Sequence, residues 1–160
     1  NAYKNNSDLN FIESLEKEEY IEIFFGGDTF IDLLKDKSQN PLRFKKFESK
    51  ELVLSTIRLN YSILGKCVLS NGEKPFLDDS LARLIFGREW KELNRNSKID
   101  IKLLEASIMK GIDLFVTQDS KIIEKSPELL AKYKLKIVSR SECVDFLKIY
   151  FSGYYNANDI

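Results

Sequence analysis

Residues 97–124 constrain the fold of this 160-residue chain more strongly than any other stretch. Apolar side chains recur there at helical spacing, Gly111 is typical of a helix end, and residues 114–116 have the length and apolar content of a buried parallel strand. The helical repeat comprises Leu103, Leu104, Ser107 and Ile108. A helix, a glycine stop and a strand in this order make half of an α/β unit, so the sequence predicts an α/β domain.

Two acids accompany this unit. Asp100 precedes the apolar repeat by one turn, so we expect its carboxylate at the start of the helix on the buried side. Asp119 follows the carboxyl end of the strand, which is the end where ligands bind in open α/β sheets. Two carboxylates that converge at that edge are suitable ligands for a divalent cation.

Each acid also has a purely structural interpretation. Asp100 lies three residues after Ser97, so the two are suited to a capping box with Asp in place of Glu. Asp119 is a suitable N-cap for a helix that begins at Ser120. The sequence leaves both interpretations open.

Charge and residue usage exclude several classes of function. With 25 basic and 25 acidic residues, no global field attracts the chain to nucleic acid or to a membrane, so RNA binding requires a local patch. The chain has no histidine, which excludes histidine bases, serine-type triads and ordinary zinc sites. Cys67 and Cys143 lie in apolar segments with helical spacing and are predicted to be inert thiols in a reducing compartment. Since the sequence shows no long apolar run and no signal-peptide pattern, we expect a cytoplasmic protein with no membrane partner.

Periodicity and turn residues predict the other elements of a single domain over residues 1–160. The predicted helices span about residues 8–17, 28–37, 52–69, 78–90, 126–134 and 141–149, with N-caps at Ser7 or Asp8, Asp28, Asp78 or Asp79, and Ser141. The predicted strands cover about residues 20–25, 114–116 and 135–138, and residues 38–47 form a polar connection.

Two local basic patches are candidates for contact with RNA. In the first, Arg43, Lys45 and Lys46 alternate with phenylalanines, an arrangement that suits phosphate binding and base stacking. The alternative for this patch is a solvated loop that its phenylalanines anchor. The second patch contains Arg88 and Lys91 and lies shortly before the predicted acids.

The order of these features resembles the C-terminal half of a PIN domain, a metal-dependent nuclease fold. The matching features are Asp100, the apolar helix, Gly111, the strand, Thr117-x-Asp119, a Lys-Ile-Val strand at 136–138 and the helix of residues 141–147. Residues 26–34 resemble the PIN strand-to-helix element, in which an acid precedes paired leucines. The acid here is Asp32, where the family usually has Glu.

The resemblance implies a three-layer α/β/α fold with a short parallel sheet, and an endoribonuclease of the toxin or RNA-processing type. Asp32, Asp100 and Asp119 would be the catalytic residues and would ligate Mg²⁺ or Mn²⁺, which are hard cations that favour oxygen ligands. The cation would activate water and neutralise developing charge during hydrolysis of single-stranded or structured RNA. Thr117 is expected to orient the Asp119 carboxylate as a hydrogen-bond donor. Two consecutive helices are expected between the second and third acids.

The chain departs from the family pattern at its start. PIN domains begin with an apolar strand that ends in Asp-x-Asn and supplies the first acid, and no strand precedes Asn1 in this sequence. Either Asn1 belongs to that motif and the strand was removed, or Asn1-Ala2 is a cloning scar and the domain lacks the first acid. Asp32 also has a structural alternative, because it shares a polar helical stripe with Asp28 and Asp36.

Two other hypotheses fit the same sequence. A non-catalytic PIN-like module that binds a protein partner, for example to neutralise a toxin, would suit the neutral charge and the missing first acid. A small Rossmann-like domain with an unrelated ligand is the other alternative. The distances among the three carboxylates distinguish the nuclease from both.

Overall fold

The computed structural model describes residues 7–26 and 77–152, together with residues 52–53, 55–56 and 67–68 and the single positions Pro41 and Lys45. We number its helices and strands in chain order. The helices are α1 (Ser7–Lys17), α2 (Asp78–Phe86), α3 (Arg95–Lys110), α4 (Ser120–Glu124), α5 (Ser126–Tyr133) and α6 (Arg140–Phe151), with a short 3₁₀ helix at Trp90–Glu92. The strands are β1 (Phe25–Gly26), β2 (Leu52–Val53), β3 (Ser55–Thr56), β4 (Cys67–Val68), β5 (Leu114–Val116) and β6 (Lys136–Val138).

The described strands form parallel pairs. β1 pairs with β2, β3 with β4 and β5 with β6. The β5–β6 pair aligns Leu114 with Lys136 and Val116 with Val138, and α4 and α5 form the crossover between these two strands. Parallel pairing with a helical crossover confirms a mixed helix and strand fold that is compatible with the α/β class.

Helix α3 is the central helix of the described structure. It begins after Asn94, whose side chain accepts a hydrogen bond from the Ser97 N–H at 2.9 Å. It ends at Gly111, which has a left-handed φ of 75° as predicted for a helix stop. Side chains on most sides of α3 are buried, and the helix contacts α2, β2 and β3. The proposed capping box of Ser97 and Asp100 is wrong, because the helix starts a turn earlier and Asp100 lies in its interior.

Other predicted elements are largely confirmed at their predicted places. These are α1, α2, β5, α4, α5 and β6. Helix α2 ends earlier than predicted because Gly87 takes the left-handed conformation, with φ of 64°. Helix α6 has Ser139 as its N-cap instead of Ser141, since Ser139 and Glu142 form a reciprocal capping box. Strand β5 is only half-buried, and its Val116 is 47% exposed, so the expectation of a fully buried strand is wrong.

The prediction of a helix over residues 52–69 is wrong. The described residues in this stretch form β2, β3 and β4. Val53, Thr56 and Val68 are β-branched, and such residues pack well on a pleated sheet, so strand propensity prevailed over apparent helical spacing. Pro41 and Lys45 have helical backbone within the predicted polar connection. The predicted helix over residues 28–37 lies outside the described residues.

Two apolar clusters form the described core. The larger cluster joins α2, α3, α4, α5 and β6, and the smaller one joins α1, β6 and α6. The buried members of the larger cluster are Leu81, Ala82, Ile85, Trp90, Leu93, Ile101, Leu104, Ile122, Leu129, Leu135 and Ile137. The smaller cluster contains Leu15, Val138, Cys143, Leu147 and Phe151. Strand β6 therefore contributes to both clusters, and burial of these side chains supplies the main driving force for folding.

An ion cluster is buried between α2 and α3. The Lys102 Nζ lies 2.7 Å from the Glu105 Oε2 and 3.3 Å from the Asp78 Oδ2, and all three side chains have no solvent exposure. The ammonium also lies 5.3 Å from the centre of the Trp90 ring, in a cation–π contact. Glu105 accepts a further hydrogen bond from the Leu77 N–H at 3.2 Å, at the start of α2. The cluster therefore ties the first turn of α2 to the middle of α3.

None of the helices within the described part of the chain has the length and hydropathy needed to cross a membrane. The longest, α3, has 16 residues.

We expect Lys102→Met to lower the free energy of unfolding by about 3–5 kcal/mol, because it leaves two buried carboxylates without the ammonium between them. Urea denaturation followed by circular dichroism measures the change. Lys98→Met is the matched control, since the Lys98 ammonium lies 5.8 Å from the same Trp90 ring and is only half-buried. Its expected cost is below about 1 kcal/mol.

A triple variant tests the electrostatic origin of that loss. Adding Asp78→Asn and Glu105→Gln to Lys102→Met should recover part of the stability, because neutral side chains can still accept hydrogen bonds from Asp79 and Leu77. No recovery, or an equal loss in Lys98→Met and Lys102→Met, would contradict this account of the ion cluster.

Candidate functional site

The carboxyl end of β5 leads into the candidate site. The Thr117 N–H donates to the Val138 carbonyl oxygen at 3.0 Å, so pairing with β6 continues just past the last residue of β5. The chain then leaves the sheet and begins α4 at Ser120. Asp119 therefore lies immediately beyond a parallel strand, where ligands bind in open α/β sheets.

Asp119 is held by local hydrogen bonds. Its Oδ1 accepts from the Lys121 N–H at 2.8 Å, so Asp119 is the N-cap of α4, as its structural interpretation predicted. Its own N–H donates to the Thr117 Oγ1 at 3.1 Å. Thr117 thus contacts the backbone of Asp119, where we had expected a contact with the carboxylate. Hydrogen bonds at the backbone N–H and at the carboxylate therefore hold the half-buried Asp119 in place.

Asp100 lies in the second turn of α3 and is half-buried. Burial, and to a smaller degree the nearby charge of Asp119, raise the pKa of the Asp100 carboxyl to about 6. An electrostatic effect of this kind requires the two carboxylates to lie near each other. Asp100 in α3 and Asp119 after the end of β5 are therefore within electrostatic range of each other.

The third predicted acid, Asp32, lies outside the described residues. Within the part of the chain that the structure describes, no group of three or more acidic, cysteine or histidine side chains is arranged to hold a metal ion. What the structure presents is a pair of carboxylates with like charge. A divalent cation fits the chemistry of this pair, because it would offset their mutual repulsion.

The predicted RNA-contact residues are distributed over separate places. Arg43 and Lys46 lie outside the described residues, and Lys45 is exposed on helical backbone. Arg88 is exposed just after Gly87. Lys91 forms an ion pair with Glu89, with 2.8 Å between its Nζ and the Glu89 Oε2.

Glu89 partly neutralises the second basic patch. Hydrogen bonding and charge from Lys91, and to a smaller degree from Arg83, lower the pKa of Glu89, while Glu89 in turn raises the pKa of Lys91. The Arg83 Nη2 lies 3.2 Å from the Glu89 Oε1. The patch is therefore less positive than a count of its basic residues suggests.

Two buried groups bear on the predictions from sequence. Lys102 was not among the predicted site residues, although its position between Ile101 and Leu103 in an apolar helix was a signal of an unusual environment.

Cys143 is buried and free, and burial raises the pKa of its thiol, which makes it less reactive. This agrees with the predicted inert thiol. Cys67 lies in β4 and not in a helix.

Comparisons of the chain with family models, with curated proteins and with solved structures gave no match. The resemblance to PIN domains therefore rests on the residues quoted above, and it stays a prediction.

Asp100 should give the fold a measurable pH dependence. Its pKa is about 6 in the folded chain and 3.8 in a model peptide, so the folded state binds more protons between these values. The free energy of unfolding should therefore fall as the pH rises from about 4 to about 6, and this contribution should stay constant at higher pH.

The Asp100→Asn substitution replaces the ionisable carboxyl with a neutral amide. At neutral pH we expect this variant to be more stable than the wild type by on the order of 1–3 kcal/mol, with no difference below about pH 4. Urea titrations across this pH range measure the effect. Asp113→Asn is the control, because Asp113 is exposed just before β5 and its replacement should change stability by less than about 0.5 kcal/mol. A constant difference between Asp100→Asn and wild type at all pH values would contradict the prediction.

Proposed function

We propose that the chain is a metal-dependent endoribonuclease with a PIN-like, three-layer α/β/α fold. The observation that carries this proposal is the electrostatic coupling of Asp100 and Asp119 beside the carboxyl end of β5. Like charges held together without a compensating cation destabilise a fold, and such arrangements are concentrated at functional sites. The parallel β5–β6 pair with its helical crossover supports the proposed architecture.

The residues of the pair have complementary properties as ligands. The Asp119 Oδ1 accepts the hydrogen bond from the Lys121 N–H, and the Asp119 carboxylate would be one of the groups that hold the cation. Asp100, with a pKa of about 6, is mostly ionised at neutral pH and would hold the cation in its ionised form. Asp32 is the proposed third ligand. Bound Mg²⁺ or Mn²⁺ would supply Lewis-acid activation of water and neutralise charge at the scissile phosphate.

The described structure also revises the expected RNA-binding surface. Strands β2, β3 and β4 lie where the resemblance implied the first of the two helices between the second and third acids. Helix α2 lies in that interval, and Arg88 and the 3₁₀ helix that contains Lys91 follow it. We propose that RNA approaches the carboxylate pair from this side and contacts Arg88, which is exposed just after α2.

Titration calorimetry with Mn²⁺ tests cation binding directly. The affinity should fall by about tenfold or more between about pH 7.5 and pH 5, because a proton on Asp100 competes with the cation. Asp100→Asn should bind Mn²⁺ more weakly at the higher pH and lose this pH dependence. The exposed Asp113→Asn variant should behave as the wild type. Tight, pH-independent binding in Asp100→Asn would exclude Asp100 as a ligand.

Cleavage of labelled single-stranded RNA tests the activity. In the presence of Mn²⁺, Asp100→Asn and Asp119→Asn should each lower the cleavage rate by about 100-fold or more, and EDTA should abolish it. Asn is as good an N-cap as Asp, so Asp119→Asn should preserve the start of α4. Equal cleavage by wild type and Asp100→Asn would remove Asp100 from the mechanism. Cation binding without any cleavage would favour the non-catalytic, protein-binding module.

A further inference from the structure

Lys121 connects the carboxylate pair to the end of α2. Its backbone N–H donates to the Asp119 Oδ1, with 2.8 Å between the two heavy atoms. The side chain is exposed, and its Nζ lies 5.6 Å from the centre of the Phe86 ring in a cation–π contact. Phe86 is the last residue of α2 and packs, half-buried, against the larger apolar cluster. The Lys121 side chain therefore extends from the first turn of α4 to the C-terminal end of α2.

The Lys121 ammonium has no carboxylate at ion-pair distance among the residues that the structure describes. Arg83 and Lys91 differ in this respect, because both pair with Glu89. Lysine is a common phosphate ligand in proteins and acts there as a point charge. The charge of Lys121 is therefore available to an anion from outside the fold.

Charged residues close to Lys121 have both signs. Asp119 precedes it by two residues, and Glu124 follows it by three and is exposed at the end of α4. On the side of α2, Arg88 is exposed two residues after Phe86. The pKa of Asp100 is raised, whereas an ammonium beside its carboxyl would lower that pKa. Lys121 therefore does not neutralise Asp100 and leaves this carboxylate to a metal cation.

We propose that Lys121 binds a backbone phosphate of the substrate RNA, next to the phosphate that is cleaved. This inference rests on the proposed function, because a cation on Asp100 and Asp119 would define the cleaved phosphate. The backbone of Lys121 is held at the Asp119 carboxylate, while its flexible four-carbon stem lets the ammonium move from the Phe86 ring to a phosphate. A strand of RNA that passes from the acids over Lys121 then reaches the segment with Arg88.

Binding of a fluorescein-labelled single-stranded RNA of about 12 nucleotides tests this contact. Fluorescence anisotropy with the full 160-residue chain in EDTA, which prevents cleavage, gives the affinity over a range of salt concentrations. Lys121→Met keeps an unbranched apolar side chain over Phe86 and removes the charge, so it should weaken binding about tenfold at low salt. The slope of log affinity against log salt should become shallower by about 0.7, the value for one phosphate contact with a single strand.

Lys132→Met is the matched control. Lys132 is also exposed, and its Nζ lies 5.1 Å from the centre of the Tyr133 ring. It lies at the C-terminal end of α5, which leads into the amino end of β6, whereas Asp119 follows the carboxyl end of β5. This variant should bind RNA as the wild type does. Lys121→Arg keeps the charge and should stay within about threefold of the wild-type affinity. Lys121→Met should bind Mn²⁺ as the wild type does, and circular dichroism verifies folding of every variant.

The structural alternative is that Lys121 only braces α2 against α4. Lys121→Met would then lower the free energy of unfolding and leave RNA affinity and its salt slope unchanged. That result would overturn the inference even if the wild type cleaves RNA. Equal weakening in Lys121→Met and Lys132→Met, or no binding of RNA by the wild type, would overturn it as well. If the wild type binds RNA through Lys121 and does not cleave it with Mn²⁺, the phosphate contact stands and the nuclease activity fails.

Discussion

The arrangement of α2 and α3 depends on the buried ammonium of Lys102, which lies between the carboxylates of Asp78 and Glu105. Each of these groups would be unfavourable to bury alone, and they are compatible with the core only at short mutual distances. Apolar packing tolerates small rotations of a helix, whereas a hydrogen-bonded ion cluster does not. Lys102 lies two residues after Asp100, which is about 200° around the helix. By fixing the rotation of α3, the cluster also determines the direction in which Asp100 is presented on the opposite side.

Local signals in the sequence were sufficient to predict the region around the candidate site. Gly111 predicted the end of α3, and the apolar run after it predicted β5. The N-cap role of Asp119 was one of the two interpretations that the sequence left open, and one side chain and the residues just after it determine that geometry. These predictions needed only short-range information and the general topology of α/β units.

Other features depended on tertiary contacts that a single sequence does not reveal. Residues 52–69 contain apolar positions at helical spacing and also β-branched residues, and parallel pairing decided between the two possibilities. The burial of Lys102 depends on Asp78, which belongs to another helix far along the chain. In each case the deciding interaction joined residues whose proximity no local pattern encodes.

The short path between the two acids of the site has a consequence for sequence variation. The remaining turns of α3, the single left-handed residue Gly111 and strand β5 connect Asp100 to Asp119 with little irregular chain. One residue inserted within α3 after Asp100 would rotate that side chain by about 100° and shift it by about 1.5 Å relative to the strand. The connection therefore cannot absorb insertions or deletions without separating the carboxylates. Related chains that keep the pair should keep the number of residues between its members, while differing freely in length elsewhere.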